Sequence, residues 1–321
     1  METENLLIEL LKIPSSSGNE RKLAEFIAKK LKKNFSVKIQ RFNGSANVLA
    51  IKGKPKVLFN AHLDTVPKQL KIIKKGKFIY GRGACDTKSQ IAAMIISAEK
   101  LKDIALLFDS CEEKDFSGIK KALPLIPKSV KRIIVGEPTN SDLVIGQKGL
   151  LTLKILCTGK KAHGSMPEKG VNAIDKLIGA LETLKKQNLG YNKLFGKAAM
   201  NLGKISGGIT SNVVPDYAEA LVDIRTVSSS RKLYEKLKRK LDVKLMIINS
   251  FDPILTDIKT KLKLKKRTVP YFTEAYFLDK KAKVLIIGAG KEEDAHSDNE
   301  KVSMEEVKKI VGIYIALAKE V

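Results

Sequence analysis

Two rhythms of apolar residues divide this chain, and the change between them near Leu150 constrains its fold more than any other feature. In the first rhythm, Leu6 to Leu11 followed by Ile13 and Pro14 reads as a short helix stopped by the proline. Ser17 and Gly18 form a break, and Glu20 to Leu31 then carries Leu23, Phe26, Ile27 and Leu31 at helical spacing. Val37 to Ile39, Val48 to Ile51 and Val57 to Phe59 suit strands, the first two separated by the turn-like Asn43-Gly44-Ser45. Gln90 to Leu101 and Ser117 to Leu123 read as helices, Ile104 to Phe108 and Arg132 to Val135 as strands. This alternation predicts an α/β domain with a mainly parallel, buried central sheet.

The second rhythm is strand (Leu151 to Cys157), helix (Gly170 to Lys186), two strands (Met200 to Ile209, Val213 to Arg225), helix (Ser230 to Leu241) and strand (Val243 to Ile248). That order is the ferredoxin-like α+β pattern. A further strand, Val284 to Ile287, and a closing helix, Met304 to Leu317, return to the first style. The expected organisation is therefore a larger α/β domain in two segments, 1–149 and 256–321, with a small domain inserted at 150–255.

Composition excludes several classes. With 43% hydrophobic and 30% charged residues the chain suits a folded protein rather than a disordered one. No apolar run approaches the roughly 20 residues of a membrane-spanning helix. Met1 to Leu10 carries glutamates and no basic residue, unlike a signal peptide, so a cytoplasmic location is expected. Cys85, Cys111 and Cys157 form neither a disulfide framework nor a Cys-x-x-Cys pair. The net charge of +25 stands out, yet its lysines and arginines are spread over many segments, with no nucleic-acid-binding signature. It reads as a generally basic solvated surface, with attraction of acidic partners as the alternative.

Only three histidines occur, each in a polar setting. His62-Leu63-Asp64 follows the apolar run Val57 to Phe59, and strand spacing would point His62 and Asp64 the same way. A carboxylate beside a ligating imidazole can orient the ring and raise its basicity. Tyr80-Gly-Arg-Gly-Ala-Cys-Asp86 precedes the helix from Gln90, and Cys111-Glu112-Glu113 ends the strand from Ile104. Gly136-Glu137-Pro138 ends another strand, and Ala295-His296 follows the Gly288-Ala-Gly290 break. Acids and histidines gathered at strand ends fall where α/β sites form. Imidazole and carboxylate donors suit zinc, cobalt or manganese, and two such ions can share a bridging carboxylate.

In this order, the motifs resemble those of the acetylornithine deacetylase, succinyl-diaminopimelate desuccinylase and glutamate carboxypeptidase superfamily of metallohydrolases, over nearly the whole chain. The resemblance implies a two-metal catalytic domain with an inserted lid and dimerisation domain. It implies that His62 and Glu137 bind one ion, Glu113 and His296 the other, and that Asp86 bridges them, with a cis peptide after it. The ions would be zinc or cobalt. Asp64 would orient His62, and Glu112 would act as general base. In the inserted domain, His163 resembles the histidine that reaches across a homodimer to stabilise the oxyanion. Gly207, Gly208 and Asn212 resemble a substrate-binding hairpin, Arg225 the arginine that holds the substrate carboxylate, and Gly290 joins this substrate-binding set.

For the substrate, the short connection from Asp64 to Asp86 and the compact chain resemble one branch in particular. That branch releases lysine or ornithine from the γ-carboxyl terminus of an acidic amino-group carrier protein in amino-acid biosynthesis. A +25 enzyme would attract such a carrier. The alternatives are removal of acetyl or succinyl groups from small amino acids, the direction in which Glu137-Pro-Thr points, and hydrolysis of di- or tripeptides or of a C-terminal residue. Neither nucleic acid nor membrane is expected as a partner. Thr273-Glu274 falls near the expected substrate loop and carries no assigned role.

Overall fold

The segment Val57–His62 is buried at every position in the computed structural model, which describes residues 2–256 and 259–321. Met1 and positions 257–258, the latter within the expected second segment of the larger domain, lie outside the described residues. A strand covered on both faces needs an unbroken apolar run, and Val57 to Phe59 supplies one. It pairs in parallel with Ile104–Asp109 on one side and Arg132–Val135 on the other. Lys283–Ile286 extends the parallel set beside Arg132–Val135. Antiparallel strands flank this centre: Ser45–Lys52 and Ser36–Phe42 at one edge, and Leu143–Gln147 next to Lys283–Ile286. The sheet is therefore mixed, with its parallel strands all ending at the same side.

Local sequence explains the flanking elements. Asn43 and Gly44 join the first two strands with φ of 39° and 83°, the left-handed pair that a two-residue hairpin needs. Lys88–Glu99 is buried from Lys88 through Ala98, which fits its lack of a polar face. It packs between the helices Glu2–Leu11 and Met304–Lys319. Tyr314, on the last of these, buries its ring 5.4 Å from that of Phe59 and donates its hydroxyl to the Ile287 carbonyl at 2.9 Å.

Several elements depart from the sequence pattern. The strand Leu143–Gln147 is not predicted, because Gly146 and the polar Ser141-Asp142 break its apolar run. The hairpin Ile73–Lys75 with Phe78–Tyr80 is hidden by Lys74, Lys75 and Lys77, whose side chains are exposed. His62 is the last residue of its strand, so His62 and Asp64 are not two positions of one strand as their spacing suggests. The chain turns there, held by the Leu63 N–H to Asp109 carbonyl bond at 2.6 Å.

The chain divides into two units, the first comprising 1–145, 256–267 and 273–321, the second 146–255 and 268–272. The second unit has a four-stranded antiparallel sheet in the order Ala199–Gly207, Tyr217–Thr226, Gly149–Thr158, Lys244–Phe251. Numbered along the chain that order is 2-3-1-4, the ferredoxin-like arrangement. Alternate residues Leu151, Leu153, Ile155 and Ala218, Ala220, Val222 face the helices Ala173–Lys185 and Ser230–Lys240 and form its core. Asn172 caps the first helix, accepting from the Ile174 and Asp175 N–H groups. Among the described residues no helix is long and apolar enough to cross a membrane.

Phe59→Ala should cost about 3–5 kcal/mol through lost burial and the remaining cavity. A denaturant titration followed by circular dichroism reads this directly, and a midpoint unchanged from wild type would contradict the packing described.

Candidate metal centre

The ends of the parallel strands deliver the site. His62 closes its strand, Glu112 and Glu113 follow Ile104–Asp109 after a short turn, and Glu137 follows Arg132–Val135. Asp86 sits between the strand Phe78–Tyr80 and the helix Lys88–Glu99, where the Asp86–Thr87 peptide is cis. His296 adopts φ +60°, a left-handed conformation that directs its ring toward the acids.

These side chains meet. His62 Nε2 lies 3.0 Å from Asp86 Oδ1, and His296 Nε2 lies 3.1 Å from Asp86 Oδ2 and 2.6 Å from Glu113 Oε1. The two oxygens of Asp86 thus serve different histidines. Potential ligand atoms of His62, Asp86 and Glu137 all lie within 4.8 Å of one another, as do those of Asp86, Glu113 and His296. Two donor atoms bound at about 2.1 Å to one ion are at most about 4.2 Å apart, so each group needs little adjustment to close on a cation. Glu137 Oε1 is buried with no hydrogen-bond partner, an orphaned acceptor on the side where an ion would sit. The residues fit a pair of divalent ions sharing Asp86.

Electrostatics point the same way. Burial would lower the His62 pKa, but hydrogen bonds to Asp64 and Asp86 hold it well above the usual histidine value. Hydrogen bonding to Asp86 and then to Glu113 pushes His296 up to about 10. Burial would raise Asp86, yet its bonds to His296 and His62 keep it below the ordinary carboxylate range. Glu112 and Glu137 are raised well above that range, by burial first and by neighbouring carboxylates after it. The imidazoles are the groups set against the carboxylates here, and a divalent cation takes such a place by displacing a ligand's proton.

The support is as specific as the cluster. Asp64 was expected to orient His62, and His62 Nδ1 donates to the Asp64 main-chain oxygen at 2.9 Å, with the carboxylate Oδ1 farther off at 3.6 Å. The Asp64 carboxylate instead accepts from the Glu112 and Glu113 N–H groups, each at 3.0 Å, and from the Ser17 hydroxyl at 2.7 Å. It therefore fixes the turn that carries the proposed base. Glu20 tethers the same turn, accepting from the Cys111 N–H at 3.0 Å, where Cys111 is held at φ +63°.

Glu300, four residues after His296 and given no role by the sequence, aligns the other side. Its Oε1 accepts from the Cys85 and Asp86 N–H groups, and its Oε2 pairs with Arg82 at 2.6 Å with both side chains buried. Gln90 ties the neighbouring loop, exchanging two hydrogen bonds with the Ala289 main chain. Gly290 lies on that loop at φ +87°, where an added Cβ would meet Cys85 Sγ at 2.5 Å. Its main chain accepts from the Asn140 N–H at 2.7 Å.

Glu274, which the sequence places near the substrate loop without a role, joins the cluster. It is fully buried, and its ligand atom lies within 4.8 Å of those of Glu112 and Glu137. A signal was present: one acid stands alone in the apolar run Tyr271-Phe-Thr-Glu-Ala-Tyr-Phe-Leu278, where a solvated loop glutamate is out of place.

The remaining expected residues belong to the second unit. His163 is exposed and bridges to Val213; the Ser165 N–H donates to its Nδ1 at 3.2 Å. Gly164 and Asn212 are joined by an N–H to carbonyl bond at 2.7 Å. Gly207 and Gly208 line a recess of about 510 Å³ together with Gly164, Asn172, Thr210 and Val213. Arg225 is not part of that patch. Gly207 pairs with Ala218, seven positions from Arg225 along the same strand, which is about 24 Å of extended chain. Its guanidinium Nε donates to Asp223 at 2.8 Å.

Comparison with known proteins supplies the family. Residues 145–245 match the family described as the peptidase dimerisation domain. A peptidase M20 domain-containing protein of Schizosaccharomyces pombe is 30% identical over 318 residues, covering 93% of this chain and 79% of that protein. A probable carboxypeptidase of Aspergillus flavus is 32% identical over 276 residues, covering 72% of this chain and 66% of the relative. The fold is also that of an M20 family metallo-carboxypeptidase from Sulfolobus solfataricus, with TM-score 0.80, 18% identity and 99% coverage of both chains. Fold and site together define a metal-dependent amide hydrolase. The chain belongs to the M20 peptidase family.

Glu300→Ala should leave Arg82 buried without its partner and release the Cys85–Asp86 main chain, at a cost of about 3–5 kcal/mol. Thermal melting of metal-free protein measures it; a variant as stable as wild type would show that the pair does not organise the Asp86 turn.

Proposed function

We propose that this chain is a peptidase that removes the C-terminal residue from short peptides by metal-dependent hydrolysis. The observation that carries the reading is the placement of Glu112, buried beside two histidine–carboxylate groups that share Asp86. The printed names of the relatives, carboxypeptidases among them, support the same direction.

Bound divalent ions supply Lewis-acid polarisation of a carbonyl and a lowered pKa for water, whichever metal, zinc or cobalt included, is the physiological one. The other tasks fall to side chains. A Glu112 carboxylate oxygen takes the proton of the attacking water and returns it to the departing amine nitrogen. Its burial and raised pKa suit a group that must hold that proton between the two steps. Asp64 keeps Glu112 and Glu113 in one orientation through their main-chain N–H groups. Ser165 engages Nδ1 of His163 through its hydroxyl at 2.7 Å and its N–H at 3.2 Å, which leaves Nε2 for the developing oxyanion. Such a donor contributes about 3 kcal/mol to the transition state. Arg225 receives the α-carboxylate of the substrate, which replaces Asp223 on the guanidinium fork.

The reading includes a homodimer formed by the second unit, whose strand Ala199–Gly207 presents an open edge with Ile205 exposed. In it the His163 turn and Gly207–Gly208 of one copy serve the centre of the other, which accounts for their separation from Arg225 on the same sheet. The three buried free cysteines suit a reducing compartment such as the cytoplasm.

One observation favours a second reading. A net charge of +25 suits an acidic macromolecular substrate, such as lysine or ornithine carried on the γ-carboxyl of an acidic carrier protein. That reading makes the enzyme biosynthetic and its reaction sensitive to salt.

For the metal-loaded enzyme, Glu112→Gln should lower kcat by roughly 100- to 10,000-fold while metal uptake stays at the wild-type level. A smaller loss would remove Glu112 from the role of base. Amino-acid release from N-blocked dipeptides, free dipeptides, N-acetyl-lysine, N-acetylornithine and the carrier-linked amide separates the readings. Preference for N-blocked peptides with a free C-terminus supports the first. Preference for the carrier, lost as salt rises, establishes the second and overturns the first.

A further inference from the structure

Glu274 sits where an unpaired carboxylate is hardest to keep. Its main chain is fixed, since its carbonyl accepts from the Phe277 and Leu278 N–H groups at 2.9 and 3.2 Å. The side chain is fully buried, and neither of its oxygens has a hydrogen-bonding partner on another residue. Among the described residues no lysine or arginine forms an ion pair with it. What it faces is more acid: ligand atoms of Glu112, Glu137 and Glu274 all lie within 4.8 Å of one another. Buried carboxylates are kept by partners or by metal ions, and this one has no partner. The orphaned Oε1 of Glu137 belongs to the same gap.

We propose that Glu274 supplies a further carboxylate oxygen to the ion held by Glu137. The inference rests on the two-ion reading of the centre and deepens it. Glu137 links the two sides, because it groups with His62 and Asp86 as well as with Glu112 and Glu274. The ion held by His62, Asp86 and Glu137 then gains Glu274, which adjoins that group through Glu137, while Asp86, Glu113 and His296 hold the other. Four protein donors make a closed position and three leave one open, so the two positions differ in how tightly they hold a cation. The Glu137 position is the tighter, and the Glu113 and His296 position exchanges first.

The test is metal binding rather than turnover. Metal-free wild type, Glu274→Gln and Glu274→Asp are titrated with Co(II) against a competing chelator, and visible absorption reports the coordination of each ion. Wild type should bind two ions in two affinity classes. Glu274→Gln should lose at least tenfold in the tighter class, with a changed absorption band and the weaker class unmoved. Glu274→Asp, which keeps the charge on a shorter stem, should recover part of that loss. Circular dichroism and melting of the metal-free variants show whether each is folded, and if Glu274→Gln is not, Glu274→Asp against wild type carries the comparison. Two ions bound by Glu274→Gln with wild-type affinities and spectrum would overturn the role of Glu274 while leaving the two-ion centre standing. Wild type that takes up fewer than two ions would remove the reading beneath it.

Discussion

Carboxylates confined at one end of a buried sheet repel one another, and the rest of this structure is organised around keeping them there. Asp86, Glu112, Glu137 and Glu274 are all buried, and Glu112 and Glu137 lie beyond the ends of strands whose main chain is already committed to the sheet. Each like-charged neighbour raises the free energy of the ionised set, and low-dielectric surroundings magnify the effect. Among the described residues, histidine stands against them inside the cluster, through His62 and His296. A fold keeps such an arrangement when a cation is present for it to bind, which makes the metal centre the reason for the acids and not an ornament upon them.

Holding the acids still requires a second layer of contacts, and that layer uses main-chain N–H groups throughout. Asp64 takes those of Glu112 and Glu113, Glu20 takes that of Cys111, and Glu300 takes those of Cys85 and Asp86. Three further carboxylates thereby fix the turns that carry the functional ones. Arg82 compensates Glu300, and Ser17 helps to compensate Asp64. Preorganisation of this kind matters for catalysis, because a base displaced by an ångström loses much of its effect.

The sequence made the parallel core and the alternating small domain legible because both are written in apolar periodicity. Val57 to Phe59 and Ile104 to Phe108 are unbroken apolar runs, and Leu151, Leu153 and Ile155 alternate. His62, Asp86, Glu113, Glu137 and His296 stood out because polar residues at the ends of such runs are conspicuous, and the structure gathers them within ligand distance. What escaped has physical reasons. Gln90 acts across a long sequence separation, and no local pattern announces a contact with Ala289 from 199 positions away. Lysines on the exposed face of Ile73–Lys75 hide a strand that local propensity would otherwise reveal.

The most direct measurement is a crystal structure of the protein loaded with zinc or cobalt, with anomalous scattering recorded at the metal edge. The account predicts two peaks on either side of Asp86, one against His62 and Glu137, the other against Glu113 and His296. A single peak, or peaks away from these side chains, would contradict it.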